Sequence, residues 1–188
     1  MGRGVTYLLL SPYPERIAPV LDAHGDDYAI TTGPINVEYL EENDIELGVS
    51  FGYKHLIRPP ELQHCSFINL HISFLPWNRG ADPNLWSWVD GTPKGVTIHV
   101  VDEGLDTGPI IAQRQTAMGS DETLATSYDR LMDDMVALFA EVWSRVRIGE
   151  IRARPQHGQG TSHFVADRAK VAGLMRLGYD THVAELRR

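Results

Sequence analysis

The densest run of chemically capable side chains is Phe67–Gly80, F-I-N-L-H-I-S-F-L-P-W-N-R-G. Asn69 and His71 lie two residues apart in a segment that reads as a strand. Side chains alternate along a strand, so both point to one side, and Ser73 follows on that side if the strand continues. An amide N–H beside an imidazole N–H can bind the oxyanion that develops on a carbonyl under attack. The C-terminal end of a strand is also where open α/β sheets usually hold their ligands. A second cluster is V-D-E-G-L-D-T-G-P, Val101–Pro109. Gly104 and Gly108 let its backbone fold around a ligand, and Asp106 is a candidate base or partner for a histidine. A carboxylate beside an imidazole favours the charged ring, which can then donate a proton near neutral pH. Both clusters keep a plain alternative. N-x-H on a strand is often structural, and Asp in a glycine-rich loop is often a turn residue.

Positioning these groups requires a frame, and the chain supplies strands alternating with helical pieces. Val5–Leu10 is a continuous apolar run, as expected of a buried strand. Glu15–Ala23 reads as a helix entered through Pro14 and ended by His24-Gly25. Tyr28–Thr31 is a short strand, Asn36–Glu42 a helix capped by Asn36, Ile45–Phe51 a second buried strand, and Ser66–Leu70 a third, preceded by a short helix opening at Pro59-Pro60. This alternation predicts an α/β fold, a Rossmann-like, mostly parallel twisted sheet flanked by helices. Gly95–Asp102 alternates cleanly and is followed by a polar loop and Pro109–Gln113, which together predict an antiparallel hairpin at the sheet edge. Across Asp121–Ile148, the residues Leu124, Tyr128, Leu131, Met135, Leu138, Phe139, Val142 and Val146 recur at helical spacing and form one apolar stripe. Gly149 is a suitable stop. The predicted organisation is a catalytic domain over 1–150 and an Arg- and His-rich appendage over 151–188.

Composition narrows the partners. The chain has 188 residues, 43% of them hydrophobic and 22% charged, which is enough apolar material for a core and excludes wholesale disorder. Its net charge of −8 argues against nucleic acid as a partner. The single cysteine, Cys65, excludes an intramolecular disulfide framework and is most simply a small core residue. The first apolar run is too short to span a bilayer and is broken by Ser11-Pro12-Tyr13-Pro14. The expectation is a cytoplasmic protein with no membrane association and no bound metal.

Taken together, three ordered motifs resemble a family. N-x-H-x-S-x-L-P-x-x-R-G-A-x-P spans Asn69–Pro83, G-V-T-x-H spans Gly95–His99, and D-x-G-P-I spans Asp106–Ile110. This is similar to the formyltransferases that use 10-formyltetrahydrofolate as cosubstrate. The resemblance implies that Asn69 holds the formyl oxygen. It also implies that His71 stabilises the oxyanion or shuttles a proton, and that Asp106 orients His71 and helps take protons from the amine. It sets Val101, Asp102, Glu103, Gly104 and Leu105 against the pterin, with Phe51, Gly52 and Tyr53 as a further folate wall. The wording of Leu75–Trp88 and of Ser50–Lys54 is most similar to the nucleotide-sugar N-formyltransferases, so the implied acceptor is an amino sugar on a nucleoside diphosphate. The segment ahead of Asn69 is shorter than those enzymes usually carry. Other small amines, such as an N-hydroxy amino acid or a hydrazine-like precursor, therefore stay open. So do a formyltetrahydrofolate hydrolase and a non-catalytic folate- or nucleotide-binding module. The resemblance also implies a homodimer.

Other side chains keep two readings. Trp77, Trp86 and Trp88 are core, or a wall for the acceptor, with Trp77 the best placed. Arg79 is a clamp for its loop or a phosphate ligand. Lys54 is a solvated surface residue, or meets a phosphate or the folate tail. His99 is a hydrogen-bonded structural histidine or a neighbour of the site.

Overall fold

The computed structural model describes residues 6–150 and 152–186. Strands β1 (Thr6–Leu10), β2 (Asp27–Thr31), β3 (Ile45–Ser50), β4 (Ser66–His71), β6 (Gly95–Val100) and β7 (Ile110–Gln115) form one six-stranded sheet in the order β2-β1-β3-β4-β6-β7. The β5 strand (Arg79–Gly80) pairs in parallel with β8 (Ser162–His163) outside it. Pairing is parallel from β2 through β4 and antiparallel from β4 to β6 and from β6 to β7. The edge hairpin expected from the alternation is therefore present.

Alternation sorts each strand between two faces. Tyr7, Leu9, Leu47, Val49, Ile68, Leu70, Val96 and Ile98 join the core beneath α1 (Pro14–Asp22) and α5 (Leu124–Val146). Leu8, Leu10 and Phe67 lie on the other face, with Leu40 of α2 (Val37–Glu42) and Leu62 of α3 (Pro59–His64). Asn69 and His71 share that second face with Phe67, because they are two and four residues further along β4. The antiparallel register sets Asn69 opposite His99 and His71 opposite Thr97.

The stripe on α5 is buried as expected at Leu131, Met135, Leu138, Phe139 and Val146, and Met132 and Trp143 join it. Its N-cap is Thr123, whose hydroxyl accepts from the Thr126 N–H, so the helix begins after Asp121 and Glu122. Trp143 donates its ring N–H to Asp26 at 2.8 Å, and Asp26 also pairs with Arg147. One helix, α4 (Pro83–Val89), has no counterpart in the sequence reading. All its residues after Pro83 are buried, so no polar face exists to give it a period.

From Arg152 the chain runs as extended pieces and short 3-10 turns laid over the sheet domain. Arg154 exchanges both backbone hydrogen bonds with Ile110, at 2.7 and 2.9 Å. Val171, Val183 and Leu186 complete a second apolar cluster with Leu85, Trp86, Trp88, Val89 and Leu124. Each such buried side chain is worth roughly 1.5–3 kcal/mol, so three of them hold the segment firmly in place. The His163 ring stacks on Trp86 at 3.9 Å and 2°. Among the described residues no helix is long and apolar enough to cross a membrane.

Candidate active site

The end of β4, His99 on β6 and the Val101–Pro109 loop bring four polar side chains together. The Asn69 amide donates to Asp106 Oδ1 at 3.1 Å and its nitrogen lies 3.3 Å from His99 Nε2. His71 Nδ1 is 3.6 Å from Asp106 Oδ2, and His99 Nε2 is 3.4 Å from Asp106 Oδ1. Across the His71 ring, Nε2 lies 3.0 Å from the carbonyl of Asn78. A carbonyl only accepts, so Nε2 carries a hydrogen and Nδ1 is the atom turned to the carboxylate. His99 is tied in the same way, with Nδ1 2.9 Å from the Val100 carbonyl. Its two earlier readings merge, because it is buried and hydrogen-bonded and also touches the site.

Asp106 is the hub. Its Oδ2 accepts the backbone N–H of Gly80 at 2.8 Å. Burial alone would raise its pKa, but the His71 and His99 rings and the Gly80 N–H together hold the carboxyl well below the usual carboxylate range. Asp106 is therefore ionised at neutral pH and able to accept. Its backbone sits at φ 52, a left-handed conformation that an Asp tolerates better than most residues but that surrounding contacts must hold. Gly80 has no substitute. A Cβ there would lie 2.3 Å from the His163 carbonyl and 2.8 Å from Leu105, and would push its N–H away from the carboxylate.

The turn after β4 is fixed from below. Thr97 Oγ1 donates to the Ser73 carbonyl at 2.7 Å and accepts the Leu75 N–H at 3.1 Å. The strand ends at His71, and the buried Ser73 hydroxyl donates to the Trp77 carbonyl. Trp77 is half-buried at this turn, whereas Trp86 and Trp88 belong to the second core, which decides their two readings in favour of packing. Arg79 directs Nε and a terminal nitrogen onto Gln156 Oε1 at 3.1 and 2.7 Å. Lys54 is exposed. Phe51 is buried in the core against Tyr13, while Gly52 is exposed and Tyr53 half-buried. Tyr53 donates its hydroxyl to the Gly33 carbonyl at 2.7 Å. Val101 is half-buried, while Asp102, Glu103, Gly104 and Leu105 are exposed. Asp102 shapes this loop by accepting from Gly104 N–H at 3.1 Å and Thr107 Oγ1 at 2.7 Å.

Sequence reasoning missed three contributors. The Gly80 N–H and the Asn78 carbonyl are backbone groups, which residue types do not announce. Gln156 lies in a tail without periodicity, and nothing in the sequence ties it to Asp106.

An open, mostly parallel sheet with an Asn–His–Asp group at a strand end is the arrangement of an α/β enzyme. Residues 30–143 match the family model described as formyl transferase. The chain belongs to that family. It is 36% identical over 130 residues to the dTDP-4-amino-4,6-dideoxyglucose formyltransferase of Mycobacterium tuberculosis, covering 69% of this chain and 55% of that protein. It is 33% identical over 131 residues to the methionyl-tRNA formyltransferase of Agathobacter rectalis, covering 68% and 42%. The chain thus spans about half the length of these curated relatives. Among solved structures it superposes on the formyltransferase PseJ from Anoxybacillus kamchatkensis, solved with UDP-4,6-dideoxy-4-formamido-L-AltNAc and tetrahydrofolate. That match has a TM-score of 0.89 and 40% identity, and covers 96% of this chain and 97% of the other.

Proposed function

We propose that the chain transfers the formyl group of 10-formyltetrahydrofolate to the primary amine of an amino sugar carried on a nucleoside diphosphate. The observation that carries this reading is the convergence of Asn69 and His71 on Asp106, the first within hydrogen-bonding reach and the second within ion-pairing reach of its carboxylate. The neutral amine attacks the formyl carbon, and the carbonyl oxygen becomes an oxyanion. His71 and Asn69 stabilise that charge. Asn69 gives its amide N–H groups to Asp106 and His99 in this structure, so it must turn one of them toward the oxyanion. Asp106 accepts a proton from the attacking nitrogen. The bond from the formyl carbon to folate N10 then breaks, N10 takes up the proton that Asp106 accepted, and tetrahydrofolate leaves. One donor to such an oxyanion is typically worth about 2.7–4 kcal/mol of barrier.

Two apolar side chains support folate binding along the predicted walls. Leu56, just past Tyr53, is 81% exposed, and Leu105 is 37% exposed. Neither contributes to a core. The acceptor class is supported by the likeness to PseJ, whose bound ligand is a UDP-linked formamido sugar, and by the dTDP-sugar enzyme. Trp77, Lys54 and Arg79 are the side chains proposed nearest the acceptor. We place the enzyme in the cytoplasm as a homodimer, a reading supported by the family likeness and by the exposed Phe164, Val165, Leu177 and Tyr179 of the tail. Sedimentation of the purified protein tests the dimer.

The deciding experiment is a screen of UDP- and dTDP-linked 4-amino sugars with 10-formyltetrahydrofolate, reading product mass and tetrahydrofolate release. A formamido sugar with stoichiometric tetrahydrofolate is the expected result. Equal tetrahydrofolate release without any amine shows hydrolysis and overturns the transfer reading.

A further inference from the structure

We propose that Gln156, in the tail, is a positioning residue that fixes Asp106 at the reacting centre by clamping its loop to Arg79. The proposal rests on the role given to Asp106 above. Gln156 spends its whole hydrogen-bonding capacity on this task. Its amide nitrogen donates to the carbonyls of Asp106 and Gly108, each at 2.8 Å. Its oxygen accepts two guanidinium N–H groups from Arg79, at 3.1 and 2.7 Å. One planar group thereby joins the two walls of the site, Arg79–Gly80 on one side and Asp106–Gly108 on the other. Among the described residues the Gly80 N–H on the Asp106 carboxylate is a second direct tie between them.

The chemistry explains why an amide is needed. Two backbone carbonyls require two donors, and the guanidinium requires an acceptor. A glutamate offers acceptors to all of them, and a lysine offers no acceptor to Arg79. The clamp also bears on a backbone that needs holding, because Asp106 is at φ 52. The tail cannot slide to compensate for a poor fit at 156. Gly160 lies so close to the turn after β4 that a Cβ on it would be 1.9 Å from the Pro76 carbonyl. Thr161 accepts the Arg79 N–H on its backbone carbonyl at 2.9 Å, and its hydroxyl accepts the Asn78 N–H at 2.8 Å. With this geometry Arg79 acts as a clamp through Nε and one terminal nitrogen. A misplacement of about 1 Å at a reacting group can cost roughly a hundredfold in rate.

The test uses the full chain with 10-formyltetrahydrofolate and the amino sugar that the screen identifies. Gln156→Ala is expected to lower kcat by roughly 30- to 100-fold while both KM values stay within about threefold. Gln156→Glu keeps the size of the side chain and its oxygen toward Arg79 but removes both donors, and Arg79→Lys cuts the other half of the clamp. Both should show the same kcat loss, and they serve if the alanine variant is not recovered folded. In an Asp106→Asn background, Gln156→Ala should leave the residual rate unchanged within about twofold, because its effect passes through Asp106. Wild-type kcat in folded Gln156→Glu, or an equal fold-loss in both backgrounds, overturns the proposal. So does Arg79→Lys if it raises only the KM for the nucleotide sugar. If Asp106→Asn itself works at the wild-type rate, the site reading fails first, and the clamp fails with it.

Discussion

Asp106→Asn is the sharpest perturbation because the carboxylate has donors on both oxygens. Oδ1 receives the Asn69 amide at 3.1 Å with His99 at 3.4 Å, and Oδ2 receives the Gly80 N–H at 2.8 Å with His71 at 3.6 Å. An asparagine has one oxygen. If that oxygen serves Gly80, the new NH2 meets the Asn69 amide donor to donor. Losing one charge-assisted hydrogen bond costs about 1.5–3 kcal/mol of stability, which a domain with roughly 5–15 kcal/mol survives. Losing the group that takes the amine proton costs about two to four decades of rate, or roughly 2.7–5.4 kcal/mol of barrier. The variant should therefore be folded and nearly inactive in a tetrahydrofolate-release assay at neutral pH. The carboxyl is held below its ordinary range, so its contribution to stability is complete above the unfolded value of about 3.9 and is lost as pH falls toward the folded one. The stability gap between wild type and variant in urea should thus narrow from pH 5 to pH 3. A rate within tenfold of wild type, or a gap that stays constant with pH, refutes the reasoning.

His71→Ala removes the imidazole but leaves the strand, and kcat should fall by roughly two to three decades with the fold intact by circular dichroism. Gly48→Ala places a Cβ 2.2 Å from the Phe67 ring on the neighbouring site strand, so urea unfolding should report about 1–3 kcal/mol of lost stability. Asp26→Ala leaves the buried Trp143 ring N–H without its acceptor, and a loss of about 1–3 kcal/mol is expected in the same assay.

The parts of the fold that follow simple periods could be read from the residues. Val5–Leu10, Ile45–Phe51 and the Gly95–Asp102 alternation became β1, β3 and β6, and the long stripe became α5, because burial imposes a period of its own. The Asn69–His71–Asp106 group was legible too, since a strand fixes the first two on one face and a Gly-rich loop can return the third. What escaped depends on tertiary contact. Helix α4 is buried all round and shows no period. Phe51 looks like a ligand wall beside Tyr53, yet alternation at the end of β3 turns its ring into the core. The support that Asn78 and Gly80 give to His71 and Asp106 is main chain. Gln156 acts from about fifty residues beyond the loop it holds, a separation at which local pattern says nothing.

The β5–β8 pairing also bears on the order in which the molecule assembles. Arg79 and Gly80 find their partners only at Ser162 and His163, so this contact closes a loop of more than eighty residues. Strands β1 to β4 can pair as soon as they leave the ribosome, whereas the Arg79–Gly80 edge of the site waits for Ser162 and His163 to emerge. A nascent molecule stalled before that point would hold the six-stranded sheet but lack the pairing that fixes Arg79 and Gly80.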